Sequence, residues 1–131
     1  MSNLASAETV AGRFVEAFGA ADFEQMGDLL ADDLRAYVTN AEGNVDEVIG
    51  GAAYLERVRA MDLPSAQFRV DITQLVAIRP DLVMVMVEVH AARHGRTLHN
   101  HAAHLLFVRD GKVAEWWMVE ALPAESDAFW A

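Results

Sequence analysis

Residues 82–120 read LVMVMVEVHAARHGRTLHNHAAHLLFVRDGKVAEWWMVE. Asp110-Gly111 is the strongest hairpin signal in this stretch, because both central residues of a type I′ turn need positive φ. His94-Gly95 is a second such pair. The two turns delimit strands over Leu82–Arg93, Thr97–Arg109 and Lys112–Glu120. Immediately upstream, Phe68, Val70 and Ile72 alternate with Arg69, Asp71 and Thr73, the period of a half-buried strand. Arg79-Pro80-Asp81 turns that strand into the next.

Before Pro64 the period changes. Val10, Phe14 and Phe18 recur at helical spacing with Ala11 and Val15 beside them, predicting a helix over about residues 6–18 with Gly19 as its stop. Asp22, with Gln25 three residues on, reads as the N-cap of a short helix burying Phe23, Met26, Leu29 and Leu30. Leu34–Thr39 is a candidate strand and Asn40–Asn44 a turn. Gly50-Gly51 introduces a third helix with Tyr54, Leu55, Val58 and Met61 on one side. Helices followed by an antiparallel meander define an α+β chain.

The 131 residues are one domain's worth of chain, and 53% hydrophobic against 23% charged content excludes disorder. Without cysteine there is no disulfide, thiolate zinc site or cysteine nucleophile. The net charge is -10; residues 1–62 carry 12 acids and 4 bases, and residues 63–131 carry 8 and 6. That field repels phosphate backbones and anionic lipid, so neither nucleic acid nor membrane is an expected partner. Leu82–Val89 is too short to span a bilayer and is interrupted by Glu88. Met1-Ser2-Asn3-Leu4 lacks the pattern of a signal peptide, and a soluble, cytoplasmic protein is expected. No phosphate loop, nucleophile elbow or calcium loop is present.

If both turns are two-residue loops, strand pairing follows by counting. His90 faces His99, Glu88 faces His101 and Met86 faces Ala103 across the first; Leu105 faces Trp116, Ala103 faces Met118 and His101 faces Glu120 across the second. One sheet face then carries Met84, Met86, Glu88, His90, His99, His101, Trp116, Met118 and Glu120. The row Glu88–His101–Glu120 places an imidazole between two carboxylates, with opposed Cβ atoms roughly 4.5–5.5 Å apart. Val83, Val85, Val87, His104 and Trp117 fall on the other face. One bulged residue at either turn would exchange a strand's faces.

The order helix, helix, Ala31-Asp32-Asp33, strand, Gly51, helix, meander, with Asp110-Gly111-Lys112-Val113 ahead of Trp116-Trp117, resembles the nuclear transport factor 2-like superfamily. That superfamily includes SnoaL-like polyketide cyclases, ketosteroid isomerase and limonene epoxide hydrolase. The resemblance covers nearly all of residues 1–131 as a single domain. It implies N-terminal helices packed in a strongly curved antiparallel sheet that forms a cone-shaped pocket, usually in a homodimer. It also implies that Ala114, Trp116, Met118 and Glu120 line the pocket. The isomerase's tyrosine falls at Phe14, its general base near Val38 and its neutral aspartate near Ala103 or Leu105, which argues against steroid isomerisation. The hydrolase's acid–arginine–acid set is matched only by Glu88, His90 and Glu120, without the arginine. SnoaL-like cyclases, which use a pocket aspartate or histidine without a cofactor, are the nearest chemical match.

The expected site therefore has His101 and Glu120 as acid/base pair with Glu88 assisting, and His99 and His90 orienting polar groups. Trp116, Met118 and Met86 form apolar walls, and Tyr54 and Tyr37 reach the pocket or its rim. The expected activity is isomerase-, cyclase- or lyase-type chemistry on a small hydrophobic carbonyl compound, with no cofactor and no metal. The competing readings are a structural network at Glu88–His101–Glu120 and a non-catalytic binding or dimerisation module. A third is a metal site of two histidines and a carboxylate at His90, His99, His101 and Glu88. Trp117 and the valine face are expected to meet a second subunit, His104 to be a satisfied core or interface histidine, and Phe129-Trp130 to be a packing anchor or a cover over the pocket.

Overall fold

Both hairpins close as two-residue loops: His94 and Gly95 have φ of 52° and 72°, and Asp110 and Gly111 have φ of 54° and 75°. The computed structural model describes residues 6–131, so the N-terminal reading at Met1–Leu4 lies outside the described residues. Four helices and six strands follow in the order α1 (Ala7–Gly19), α2 (Phe23–Leu29), β1 (Leu30–Thr39), β2 (Val45–Ile49), α3 (Gly51–Ala60), β3 (Arg69–Arg79), β4 (Leu82–Arg93), β5 (Arg96–Arg109), β6 (Lys112–Glu120) and α4 (Pro123–Trp130). A single 3-10 turn at Leu63–Ala66 joins α3 to β3. The chain is α+β, a curved open sheet holding helices on one side.

The helix starts follow local chemistry. Ser6 accepts from the Thr9 amide and Asp22 from the Gln25 amide, each satisfying a donor that a helix N-terminus leaves free. Gly19 is not the stop itself. The left-handed residue is Ala21 (φ 54°), and a Cβ at Gly19 would come within 3.1 Å of the Val70 Cβ, a tight contact. In the turn before β2, Asn40 Oδ1 accepts from the amides of Glu42 and Asn44. The short strand β2 itself, which exposes Val45, Glu47 and Ile49, was not anticipated.

The sheet order is β2-β1-β6-β5-β4-β3. Expected to be antiparallel throughout, it is mixed, because β1 runs parallel to β6, pairing Ala36 with Trp116 and Val38 with Met118. Between β4 and β5 the expected register holds along the whole ladder, including His90 with His99 and Glu88 with His101. Between β5 and β6 it holds only at the turn. Val108 pairs with Val113 but Phe107 pairs with Glu115, so Ala114 is an extra residue and every later pair is shifted by one. Glu120 therefore faces Ala102 rather than His101, and Trp116 faces Leu106 rather than Leu105.

That bulge decides which face is which. Val83, Val85 and Val87 are at most 1% exposed and pack under α1 with Phe14, Val15, Leu34 and Trp116. The valine face, expected to meet a partner subunit, is the core. Met84, Met86, Glu88, His90, His99 and His101, expected in the pocket, lie on the outer face instead. Among the described residues no helix is long and apolar enough to cross a membrane.

Candidate active site

The core does not fill the inner face completely. A cavity of about 180 Å³ opens between α3, β1, β6 and α4, with Tyr54, Trp116, Met118 and Glu120 on its wall and Trp130 across it. A smaller recess of about 40 Å³ shares Phe18, Met61, Met118, Glu120 and Trp130 and reaches His104 and Asn100.

Glu120 is the acid inside. Ser126 Oγ donates to its Oε1 at 3.0 Å. Burial is the main influence on its carboxyl, and with the nearby negative charge of Asp127 it outweighs the Ser126 bond, holding the group above the usual carboxylate range. Its position follows from the bulge: the even residues of β6 turn inward only because Ala114 is extra.

Tyr54 supplies a phenol. The ring is 2% exposed, packed edge-on to Trp116 at 5.0 Å and tilted against Phe14 at 6.0 Å. Its hydroxyl is buried and meets no hydrogen-bond partner among the described residues. Burial pushes the phenol's pKa up despite the Arg57 charge, so the group stays protonated and remains a donor. A buried hydroxyl without a partner is a costly arrangement, and one that a ligand oxygen would relieve.

His104 sits deeper. Trp116 Nε1 donates to its Nδ1 at 3.0 Å, which places any ring proton on Nε2. Burial lowers its pKa to about 4, so the imidazole is neutral at physiological pH. It is the satisfied core histidine expected from the sequence.

The roof of the cavity is α4, and β4 and β5 position it. Asn100 Oδ1 accepts from the Leu122 amide at 3.0 Å, and its Nδ2 donates to the Leu122 carbonyl. Arg93 and Arg96 donate to the carbonyls of Phe129 and Ala128. Phe129 is buried against Ala91 and Leu98, while Trp130 forms cavity wall. The C-terminal segment is thus both anchor and cover.

Of the expected site residues, the structure gathers Glu120, Trp116, Met118 and Tyr54 around the cavity. His101 and Glu120 occupy opposite faces, so their expected pairing is corrected. Glu88, His90, His99 and His101 form a separate outer cluster. Met86 lies on that outer face beside Ala103, and Tyr37 stacks on Trp117 at 4.1 Å, also outside. Sequence reasoning missed Ser126, Asp127 and Asn100 at the cavity. The uninterrupted β-branched alternation Val83–Val85–Val87 was the available signal for the core face.

A cavity between a curved, mixed sheet and its covering helices, walled by aromatic residues and holding the half-buried acid Glu120, is the architecture of the nuclear transport factor 2-like proteins. The chain belongs to the SnoaL-like domain family, whose model matches residues 11–116. No curated protein matches the sequence. Among solved structures, a protein of unknown function with a cystatin-like fold from Xanthomonas campestris superimposes with a TM-score of 0.83 at 21% identity, covering 97% of this chain and 99% of that one. A LEH-like epoxide hydrolase from M. tuberculosis gives 0.73 at 21% identity, covering 88% and 83%. A candidate ketosteroid isomerase from Kribbella flavida gives 0.73 at 19% identity, covering 87% and 76%. These likenesses establish the fold.

Proposed function

We propose that the protein binds a small hydrophobic carbonyl compound in the cavity under α4 and moves a proton on it without a cofactor. One observation carries this reading: a carboxyl group whose proton affinity is raised by burial shares an apolar cavity with a buried phenol that lacks a partner. Glu120 takes the proton from the carbon next to the substrate carbonyl, and the Tyr54 hydroxyl donates to the oxygen as it gains negative charge. Return of the proton to another carbon isomerises the compound; attack of the enolate carbon on a second carbonyl cyclises it, the new alkoxide taking the proton back from Glu120; and loss of a β-hydroxyl as water, protonated by Glu120, dehydrates it. The raised pKa of Glu120 suits it to both accept and return the proton. His101 and Glu88 have no part in this chemistry.

The cavity is smaller than the roughly 300–1,000 Å³ of most ligand sites. That supports a compact substrate. It also supports the second reading, a binding module without turnover, since Ser126 already engages the carboxyl. Exchange of α-protons of small cyclic enones and diketones in heavy water, followed by NMR, separates the two. Enzyme-catalysed exchange is expected, with Glu120→Gln slowing it about 10²–10⁴-fold, the usual weight of a general base. Tyr54→Phe is expected to slow it less. Binding without exchange establishes the second reading, and exchange undiminished in Glu120→Gln removes Glu120 from the chemistry.

We further propose that the outer sheet face is covered by a second copy of the chain. Met84, Met86, Leu105, Phe107 and Trp117 are only half-buried there, and Val119 is exposed. A continuous apolar face of this kind is seldom left to solvent.

A further inference from the structure

The outer cluster is a different site from the cavity. His90 and His99 are cross-strand partners, and so are Glu88 and His101, so four side chains with donor atoms project from two adjacent strands on one face. Their ring nitrogens converge on a single oxygen. Glu88 Oε2 lies 2.5 Å from His99 Nε2, 3.6 Å from His101 Nε2 and 3.8 Å from His90 Nε2. The donor atoms of Glu88, His90 and His99 all lie within 4.8 Å of one another.

We propose that Glu88, His90 and His99 bind a divalent transition ion of the zinc type, with His101 in reach as a fourth donor. Imidazole is a borderline ligand and carboxylate a hard one, and a set of two imidazoles with one carboxylate suits zinc, nickel or copper better than calcium or magnesium, which prefer all-oxygen shells. Around tetrahedral zinc, donor atoms stand roughly 3.3 Å apart, since Zn–N and Zn–O bonds are about 2.0–2.2 Å. The present separations bracket that value, so small side-chain rotations suffice. The rings of His90 and His99 are already stacked at 4.4 Å and 15°, and the ladder beneath them is continuous, so the donors are held by sheet rather than loop. The ion takes the Nε2 lone pairs, and the proton that His99 shares with Glu88 passes to Nδ1 or to solvent.

The charges around the cluster leave room for a cation. From β3, Asp71 stands beside Glu88 and Arg69 beside His90, and these two are paired with each other at 3.1 Å. Just beyond the end of β6, the neighbour of His101 is Ala121, which carries no charge. Three histidines and one carboxylate remain as the donor set. The ion requires neutral rings, so protons compete with it for the same nitrogens.

Titration of tag-free, chelator-stripped protein with Zn²⁺ by calorimetry tests the site, with Co²⁺ absorption as a second readout. One ion per chain is expected, with affinity falling at least tenfold in His99→Ala and in His90→Ala and unchanged in His94→Ala. In the single chain His94 and His99 are exposed and His90 is half-buried, and circular dichroism checks each fold. Absence of saturable uptake in the wild type overturns the proposal, as does equal affinity in wild type and both ligand variants. Because the site lies on the opposite face from Glu120, neither outcome bears on the cavity.

Discussion

At the scale of single residues, Glu120 and His104 are displaced from their ordinary titrations by the same cause, burial, in opposite directions. Glu120 binds its proton more tightly folded than unfolded, so its ionisation at neutral pH opposes folding. Glu120→Gln keeps an acceptor for Ser126 and removes that opposition. Chemical denaturation at pH 7 should show the variant at least as stable as wild type even as exchange activity is lost. For His104, the native pKa of about 4 lies below the unfolded value of 6.5. Between them the unfolded chain holds a proton that the native chain lacks. Its contribution to stability is therefore complete above pH 6.5, declines as pH falls toward 4, and is flat below. The span corresponds to roughly 3 kcal/mol. His104→Gln, which still accepts from Trp116, should flatten that part of a stability-against-pH curve measured by urea denaturation; an unchanged slope would assign the acid sensitivity elsewhere.

At the scale of elements, Ala114 governs the site. Without the extra residue, β6 would present Trp117 and Val119 to the core and turn Trp116, Met118 and Glu120 outward. Deleting Ala114 should therefore cost at least as much as losing a buried aromatic, about 3–5 kcal/mol, whereas Ala114→Gly should cost little. Thermal unfolding of both variants decides the matter, and a stable deletion variant would show that the bulge can be rebuilt elsewhere. The same residue explains how far the sequence could be read. The turns at His94-Gly95 and Asp110-Gly111 were legible because their backbone demands particular residues, and the β4–β5 register followed from them. Ala114 carries no such mark, since an alanine bulge has no Gly or Pro to announce it. Yet Val113 and Trp116 are three residues apart and both buried, a spacing that strict alternation forbids. The tandem tryptophans masked that slip in phase. Tyr54 was legible as a helix-face residue, but its orphan hydroxyl depends on Trp116 and Phe14, which come from elements distant in sequence.

At the scale of the whole molecule, the sheet has two unlike sides, a cavity within and an apolar, histidine-bearing surface without. If the outer side is shared between two copies, light scattering should give twice the 14.4 kDa chain mass. Leu105→Glu, on the outer face, should halve it without emptying the cavity. A monomeric wild type at the highest attainable concentration would remove the second copy. The net charge of -10 keeps such assemblies apart from one another and from anionic surfaces.

The parallel pairing of β1 with β6 has a consequence for the order of assembly. It joins residues 35–38 to residues 115–118, whereas β3 to β6 form a meander of neighbours. Local hairpins close at small entropic cost and distant pairings at a larger one, so the meander can form early and the β1–β6 seam late. The cavity straddles that seam, with Val38 on one side and Met118 on the other. On the ribosome, β1 is synthesised long before its partner, and the cavity comes into being only when β6 and α4 have emerged.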